Sequence, residues 1–316
     1  MDVKDRSLSV GVVGGGAMGT LFAWMLAPVA EVTIIDVRPA QVAALAAGVR
    51  EEHGEPRTVR ATLRPQDCYH CDILFVFVKA HDTLNAMRPF AGKLDPACVV
   101  VSLQNGLGNE EAMKTALGGQ LALVLGVTAE GSTELEPGRV RRAGAGTTVL
   151  GGAGASPETV AAVRDLLSRA GLSAQSVYDI RPQIWGKLVA NAAINPVTAI
   201  LDAPNGVLLD DEDAQDLGRL LAAETVRVAE ALRVSLPFQD AWEYVRHVAS
   251  ASAGNLSSML ADLRAGRRTE IEAINGAIAA LGRRHGIAVP CNEVVTHLVR
   301  ARERTRAAQR GGATPP

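Results

Sequence analysis

The sequence predicts an α/β fold in which a parallel β-sheet with flanking helices precedes an all-helical domain. The first half of the 316-residue chain alternates short β-branched runs with alanine-rich stretches of helical spacing, a pattern typical of a parallel sheet covered on both faces. After Asp179 the strand signal ends, and apolar residues recur at helical spacing. A chain of this length fits two domains of ordinary size, so we expect one domain over residues 1–178 and a second over residues 179–316.

Short apolar runs mark the strands of the first domain. Five are predicted as strands, several of them apolar throughout and therefore buried on both faces: Leu8–Val13, Val32–Ile35, Ile73–Val78, Val99–Leu103 and Leu121–Val127. Segments broken by glycine over residues 130–152 indicate an antiparallel extension of the sheet edge. A helix over Pro157–Arg169 and a strand near Ser173–Val177 close this domain. In the second domain five helices are predicted: Ile184–Ile200, Ala214–Leu232, Gln239–Ser250, Ile271–His285 and Glu293–Arg304.

The composition excludes several classes of function. Lys and Arg number 32 against 34 Asp and Glu, so the net charge of −2 gives no electrostatic reason to expect duplex nucleic acid. Aromatic residues make up 3% of the chain, which leaves few platforms for stacking single strands. No apolar run approaches the roughly 18 residues of a membrane span, and the first nine residues do not form a secretory signal. We therefore expect a cytoplasmic protein with no nucleic-acid or membrane partner.

Four cysteines are too few and too scattered for a disulfide framework in a chain of this size. Cys68 and Cys71 have the spacing of a metal or redox pair, but no second pair of this kind follows them. A plain loop before a strand is favoured, and no metal site is predicted.

A glycine-rich turn follows the first predicted strand. Gly14, Gly16 and Gly19 form a Gly-x-Gly-x-x-Gly pattern at the start of a helix predicted to run to about Ala27. In a Rossmann-type domain these glycines permit a tight turn, backbone approach to a pyrophosphate and close packing of helix on strand. The strand before and the helix after favour this reading over a glycine-rich turn without a ligand. Cofactor contacts are predicted for the whole loop: Gly14, Gly15, Gly16, Ala17, Met18 and Gly19.

The end of the second predicted strand bears on the choice of cofactor. Asp36 stands 22 residues after Gly14, where an acid accepts hydrogen bonds from the adenosine ribose hydroxyls and repels the 2′-phosphate of NADP. Arg38 could instead hold that phosphate, and Asp36 could simply cap the next turn. On position alone NAD is slightly favoured.

Polar residues follow two further strands of the predicted sheet, at the edge where ligands bind in open parallel sheets. Lys79 follows Ile73–Val78, and Asn105 follows Val99–Leu103. Asn105 could orient a nicotinamide or a substrate group, with an ordinary Asn-Gly turn as the alternative. Lys79 could attract an anionic substrate, or could be an exposed lysine at a strand end.

A polar stripe runs along the first predicted helix of the second domain. Lys187, Asn191 and Asn195 recur every four residues among apolar neighbours. Unpaired burial costs about 1–3 kcal/mol per polar group, so the stripe must find partners inside the protein or line a cleft. Pro196 should kink this helix.

A third polar cluster has a strong structural explanation. Asn255 is a candidate N-cap, and Thr269 with Glu272 has the spacing of a capping box. Glu270 would then be an acid in the first turn of a helix, where the helix dipole favours it.

Taken together, these motifs resemble the ketopantoate reductase family (2-dehydropantoate 2-reductases) from Gly14 to about Glu303. Besides the glycine-rich turn, the matching stretches are Val78-Lys79-Ala80, residues 104–108, 185–191 and 194–199, Pro204-Asn205-Gly206, and residues 257–262, 268–276 and 285–290. So many motifs in the family's order are far more specific than the first alone.

The resemblance implies a fold and a reaction. The fold would be a Rossmann-type domain followed by a helical domain like the C-terminal domain of 6-phosphogluconate dehydrogenase. The reaction would be NADPH- or NADH-dependent reduction of a small 2-oxo acid, ketopantoate, to (R)-pantoate in pantothenate and coenzyme A biosynthesis. Lys187 matches the family's catalytic lysine and Glu270 its partner acid. The other matching positions shape the cofactor and substrate site: Lys79, Asn105, Asn191, Asn195, Asn205 and Ser258.

Two departures from the family pattern keep alternatives open. Members commonly place a basic residue just after the second strand for the NADP 2′-phosphate, whereas Asp36-Val37 stands here and Arg38 follows one step later. Glu130 stands where some members carry a smaller or neutral residue, so a related branched or hydroxylated 2-oxo acid is the alternative substrate. A nicotinamide-nucleotide sensor without chemistry is a distant third. A homodimer is one partnership that the sequence allows.

Overall fold

The computed structural model describes residues 7–118 and 121–311, with side chains through residue 306, and the chain divides into two compact units. The first unit spans Met1–Gln104 and Asn109–Ile180, and the second spans Asn105–Gly108 and Arg181–Pro316. The division falls two residues after the expected boundary of 178. The sequence did not predict that the short segment Asn105–Gly108 belongs to the second unit.

The first unit is built on an eight-stranded sheet in the order β11-β10-β7-β6-β5-β1-β2-β4. Its strands are β1 (Ser9–Val13), β2 (Glu31–Ile35), β4 (Arg60–Thr62), β5 (Ile73–Val76), β6 (Val99–Ser102), β7 (Ala122–Thr128), β10 (Thr148–Gly152) and β11 (Ala174–Ser176). Every neighbouring pair is parallel except β7 with β10, which is antiparallel. The predicted parallel sheet is confirmed. Four of its central strands, β1, β5, β6 and β7, are apolar because helices cover both faces.

The prediction for residues 130–152 was right only for β10. The strands β8 (Gly131–Glu136) and β9 (Arg139–Gly144) form a separate three-stranded sheet with β3 (Arg50–Glu51). Both β8 and β9 carry charged residues along much of their length, so they do not suit a sheet that is buried on both faces. The short strand β10 is mostly buried and takes the place beside β7.

Among the described residues of the first unit, five α-helices accompany the strands: α1 (Ala17–Leu26), α2 (Pro39–Ala46), α3 (Thr83–Met87), α4 (Asn109–Leu117) and α5 (Pro157–Arg169). Helix α5 has the predicted bounds because Ser156 caps it by accepting a hydrogen bond from the Thr159 amide at 3.3 Å. Phe22 of α1 packs on Phe75 of β5 within the apolar core of this unit.

The second unit is helical, as predicted. It contains α6 (Arg181–Leu201), α7 (Val207–Asp210), α8 (Glu212–Ala231), α9 (Ala241–Ala251), α10 (Ser258–Ala265), α11 (Asn275–His285) and α12 (Pro290–Gly311). Helix α6 contributes residues to two buried apolar clusters, with Leu188 and Ala192 in one and Val189 and Ala193 in the other. It is therefore the central helix of this unit.

Helix α6 also bears on the expectation that no apolar run is long enough for a membrane span. By length and composition alone this helix could cross a membrane, but 72% of its most apolar window is buried inside the protein. That burial is what the core helix of a folded domain shows.

Two predicted helix starts are wrong. Helix α11 begins at Asn275. The Thr269 amide, which a capping box would pair with the Glu272 side chain, binds the Glu303 carboxylate of α12 at 2.7 Å. The Thr269 hydroxyl donates to the same carboxylate at 2.6 Å and accepts the Ile271 amide at 3.2 Å. Its predicted partner, Glu272, instead accepts two hydrogen bonds from Arg300 at 2.5 Å each. The N-cap of α10 is Ser257, which accepts a hydrogen bond from the Leu260 amide at 3.1 Å, and not Asn255.

Candidate functional site

The glycine-rich turn between β1 and α1 has the shape of a phosphate cradle. Gly14 has φ +102°, donates its N–H to Ile35 O at 2.8 Å, and would bring a Cβ within 2.8 Å of the Val78 amide nitrogen. A Cβ on Gly19 would lie 1.9 Å from Gly14 O, whereas one on Gly16 would meet no atom within 4 Å. Gly14 and Gly19 are therefore required by packing, and Gly16 leaves open space at the start of α1.

The open space adjoins the first turn of α1. Ala17 and Met18 are the first residues of that helix, and no described side chain caps its N-terminus. Helix N-termini with unpaired N–H groups attract anions such as a pyrophosphate. The residues present therefore fit a dinucleotide.

Two side chains that sequence reasoning did not single out bind the backbone of the glycine-rich turn. Gln41 of α2, which is buried, donates Nε2 to Gly15 O at 2.6 Å, and Thr20 Oγ1 donates to the same carbonyl at 3.1 Å. Gln41 Nε2 also binds Glu134 Oε1 at 2.9 Å. A buried glutamine in a short helix gives no sequence signal of this role.

Asp36 lies at the carboxyl end of β2 and is buried. Its Oδ2 accepts the Gly15 amide at 3.0 Å, and both of its oxygens accept hydrogen bonds from the Arg38 guanidinium at 3.0 Å. Burial acts to raise the pKa of this carboxyl, but the hydrogen bonds from Arg38 and Gly15 and the charge of Arg38 bring the pKa below its usual value. Asp36 is therefore ionised at neutral pH and attached to the glycine-rich turn.

Lys79 and Gln104 lie beyond the carboxyl ends of β5 and β6. Lys79 precedes a short 3₁₀ helix, Ala80–Asp82, and its carbonyl accepts the Asp82 amide at 2.8 Å. Gln104 donates Nε2 to Val78 O at 2.6 Å and to Thr83 Oγ1 at 2.8 Å. Gln104 thereby joins two neighbouring strand ends, a role that sequence reasoning missed.

In the second unit, the Asn105 loop lies on the turn that carries Glu270. Leu107 N donates to Ala273 O at 2.8 Å, and Asn105 Nδ2 lies 3.5 Å from Glu270 Oε2. Gly106, with φ +79°, allows this close approach, because a Cβ there would lie 2.5 Å from the Ala273 carbonyl oxygen. The structure thus brings together two predicted site residues that are 165 positions apart.

Lys187 lies on α6 and has a strongly altered acidity. Burial lowers its pKa to about 8, while the nearby Glu270 carboxylate acts in the opposite direction and raises it. Glu270 itself is buried, with 7% of its surface exposed. An amine and a carboxylate in such surroundings form a site that can hold or release a proton near neutral pH.

The remaining predicted residues lie in three places. Asn191 and Asn195 follow Lys187 on α6, with Asn191 half-buried and Asn195 buried. Ser258 is exposed at the first position of α10. Asn205 is buried in the loop after α6, where its Nδ2 donates to Ser252 Oγ at 3.0 Å.

The cysteines and possible metal ligands need separate mention. Cys71 lies 3.8 Å from Cys98, sulfur to sulfur, so the partner of Cys71 is not Cys68. Among the residues that the structure describes, no group of three or more His, Cys, Asp or Glu side chains could hold a metal ion.

Comparisons with known proteins cover both units. The family model "Ketopantoate reductase PanE/ApbA" matches residues 10–154, and "Ketopantoate reductase PanE/ApbA C terminal" matches residues 179–303. The 2-dehydropantoate 2-reductase of Archaeoglobus fulgidus is 38% identical over 94% of this chain and 99% of its own length. That of Halobacterium salinarum is 34% identical with the same coverage.

Solved structures agree with these matches. A PanE/ApbA family ketopantoate reductase from Ralstonia eutropha superposes with a TM-score of 0.87 at 31% identity, covering 95% of this chain and 100% of that one. A D-mandelate dehydrogenase, solved with NADH and anilino(oxo)acetate, gives a TM-score of 0.85 at 25% identity with the same coverage. The chain belongs to the ketopantoate reductase family.

Proposed function

We propose that this protein reduces 2-dehydropantoate (ketopantoate) to (R)-pantoate with a nicotinamide cofactor, a step of pantothenate and coenzyme A biosynthesis. The observation that carries the proposal is Lys187, an amine whose pKa burial lowers to about 8 in the field of the buried Glu270. The curated relatives named 2-dehydropantoate 2-reductase support this substrate.

Lys187 is assigned the role of general acid. The nicotinamide of a dinucleotide whose pyrophosphate is bound at the glycine-rich turn would supply the hydride that reduces the ketone carbon. Negative charge then develops on the ketone oxygen, and the Lys187 ammonium stabilises it and donates the proton. Because the pKa of Lys187 is about 8, Lys187 is protonated in most molecules at pH 7. It nevertheless releases its proton more readily than an ordinary lysine, whose pKa is about 10.4.

Glu270 is assigned the role of keeping that lysine charged. Its carboxylate raises the pKa of Lys187 against the effect of burial, so without it a smaller fraction of Lys187 would be protonated at neutral pH. Asn105 Nδ2, 3.5 Å from Glu270 Oε2, helps to orient the carboxylate.

The substrate carboxylate and hydroxyl need neutral or basic partners. Asn191 and Asn195 lie one and two turns beyond Lys187 on α6, and Ser258 presents an exposed hydroxyl at the start of α10. These three side chains are assigned to substrate binding, and Lys79 to the cofactor. Asn205 remains a prediction from the family resemblance, since its Nδ2 is already engaged by Ser252.

NADH is the proposed cofactor in preference to NADPH. The ionised Asp36 carboxylate stands where it would accept hydrogen bonds from the ribose hydroxyls and repel a 2′-phosphate. Arg38, the residue that could bind that phosphate, is engaged with both oxygens of Asp36. The use of NADPH that the family resemblance implies argues the other way, and the test below compares the two cofactors directly.

The test is the oxidation of NADH and of NADPH with ketopantoate as substrate, followed at 340 nm, with chiral analysis of the product. The proposal predicts ketopantoate-dependent oxidation, (R)-pantoate as the product, and a higher kcat/KM with NADH. No turnover with either cofactor would contradict it. A cytoplasmic location and a homodimer stay predictions from the sequence.

The likeness to D-mandelate dehydrogenase supports a second candidate function, the reduction of another branched 2-oxo acid. A panel of 2-oxo acids with aliphatic, hydroxylated and aromatic side chains separates the two candidates. A kcat/KM for any of them above that for ketopantoate would favour the second.

A further inference from the structure

Helix α6, which carries Lys187, continues through a proline. Pro196 has no N–H and cannot donate to the carbonyl of Ala192, four residues earlier. Ala192 is fully buried, with 0% of its surface exposed. A buried carbonyl left without a hydrogen bond destabilises the fold by about 1–3 kcal/mol, so Ala192 O requires a partner from outside the helix.

That partner is the side chain of Asn275. Its Nδ2 donates to Ala192 O at 3.0 Å and to Asn292 Oδ1 at 2.9 Å, and Asn275 is fully buried. One hydrogen of the Asn275 amide therefore replaces the hydrogen bond to Ala192 O that Pro196 cannot donate. The other hydrogen binds the first turn of α12.

Asn292 is itself held in one orientation. Its backbone N–H and its Nδ2 both donate to Glu224 Oε2, at 2.9 and 2.8 Å, and the Cys291 amide donates to Glu224 Oε1 at 3.0 Å. Glu224 is a buried residue of α8. Its carboxylate lies at the N-terminus of α12, where the helix dipole favours a negative charge. Because Nδ2 of Asn292 faces Glu224, its Oδ1 must face Asn275. The series of hydrogen bonds from Glu224 through Asn292 and Asn275 to Ala192 O therefore has a single orientation of both amide groups.

The two ends of this connection matter for the proposed chemistry. Lys187 lies five residues before Ala192 on α6, and Glu270 lies five residues before Asn275. The turn between Glu270 and Asn275 is closed by hydrogen bonds from Ala273 N and Ile274 N to Glu270 O, at 3.0 and 3.1 Å. A displacement of Asn275 would therefore carry Glu270 with it.

We propose that Asn275 is a positioning residue: its hydrogen bond to Ala192 O, at the gap made by Pro196, fixes the turn that carries Glu270 against the helix that carries Lys187. The proposal rests on the proposed function for its effect on turnover, but not for its effect on Lys187 itself. Among the described residues, Glu270 is the charged group whose field acts on Lys187.

The test replaces Asn275 by leucine, which is close in volume and lacks the amide. N275L is expected to lower kcat by between about ten- and a hundredfold, the scale of a misplacement of about 1 Å, with little change in the Kd for the cofactor. The pKa of Lys187 should fall, since Glu270 would act on it less strongly. NMR titration of ¹³C-labelled lysine measures that pKa without turnover, and the five lysines of the sequence make assignment simple with K187R as the reference.

Two further variants separate positioning from general stability. In P196A, the new backbone N–H competes with Asn275 for Ala192 O, so P196A should itself lower kcat in part, and N275L should lower kcat by a smaller factor in the P196A background than in the wild type. Thr148→Val is the control: Thr148 is equally buried, in β10 of the first unit, and donates its hydroxyl to Thr128 Oγ1 at 2.8 Å. T148V should lower Tm and leave kcat and the pKa of Lys187 unchanged. Asn275→Ser, too short to reach Ala192, replaces N275L if the leucine variant does not fold.

The outcomes are distinguishable. A wild type without turnover on any 2-oxo acid would defeat the proposed function, and the lysine titration would still decide the role of Asn275. An N275L protein with lower Tm but unaltered kcat and Lys187 pKa would overturn the positioning role. Equal losses with and without P196A would overturn the link to Ala192.

Discussion

The cofactor turn of the first unit and the lysine site of the second are assembled in opposite ways. Gly14, Gly16 and Gly19 lie within six positions of the chain, and a strand, a turn and a helix suffice to shape them. Asn105, Lys187 and Glu270 come from three distant segments that meet only in the folded unit. A local site can be recognised from spacing, whereas a dispersed site has no spacing to recognise.

The largest expected effect falls on the dispersed site. In the proposed mechanism Lys187 stabilises the developing oxyanion, so we expect its replacement by alanine to lower kcat with ketopantoate by at least about a hundredfold. The Kd for NADH, measured by quenching of protein fluorescence, should stay within about twofold, because the cofactor turn belongs to the other unit. A fall in kcat below tenfold would refute the role of Lys187.

The next effect is a shift in pH dependence. In the proposed mechanism the protonated form of Lys187 is the active one, so kcat should decline as the pH rises through its pKa of about 8. Glu270→Gln removes the charge that raises this pKa, so the alkaline limb should move to lower pH and kcat at pH 7.5 should fall by between about ten- and a hundredfold. Asp262→Asn, a buried acid of the same unit that pairs with Arg267 at 2.9 Å, is the control. An alkaline limb that stays in place in E270Q would contradict the assignment.

Substitutions in the cofactor turn should show how a local site responds. Gly16→Ala adds a methyl group where no protein atom lies within 4 Å, so folding should be unaffected while the methyl group blocks a pyrophosphate. We expect the Kd for NADH to rise by about tenfold or more, the loss of about 1.4 kcal/mol, with Tm unchanged. Gly19→Ala is the contrast, because its Cβ would collide with Gly14 O at 1.9 Å and Tm should fall. Equal Tm losses in both would show that Gly16 has a packing role instead.

The smallest effect concerns cofactor choice. Asp36→Ala should raise the KM for NADH by about fivefold, since about 1 kcal/mol of net hydrogen bonding to the ribose is lost, and should improve the use of NADPH as the repulsive carboxylate disappears. Steady-state kinetics with both cofactors decide the matter. Improved use of NADH in this variant would show that Asp36 serves only to hold Gly15 and Arg38.

The same contrast explains what the sequence could predict. The parallel strands, the bounds of α5 and the glycine-rich turn follow from periodicity and local capping, and the structure confirms them. Lys187 and Asn105 were visible from the sequence as candidates, but their roles and that of Glu270 depended on the family resemblance.

The failures were of one kind. The capping box at Thr269 and the placement of β8 and β9 were wrong because distant partners decide them, Glu303 in the first case and β3 in the second. The supporting contacts of Gln41, Gln104 and Asn275 were missed for the same reason. Each is a single amide whose function depends on a carbonyl far away in sequence.

The central claim is that Lys187, held charged by Glu270, donates the proton in ketopantoate reduction. The most direct test is the pH profile of ketopantoate reduction by the wild type and by E270Q, with the pKa of Lys187 measured by NMR in both. We expect the alkaline limb of kcat to coincide with the Lys187 pKa of about 8 in the wild type, and both to move together to lower pH in E270Q. A kinetic limb that does not follow the lysine titration would contradict it.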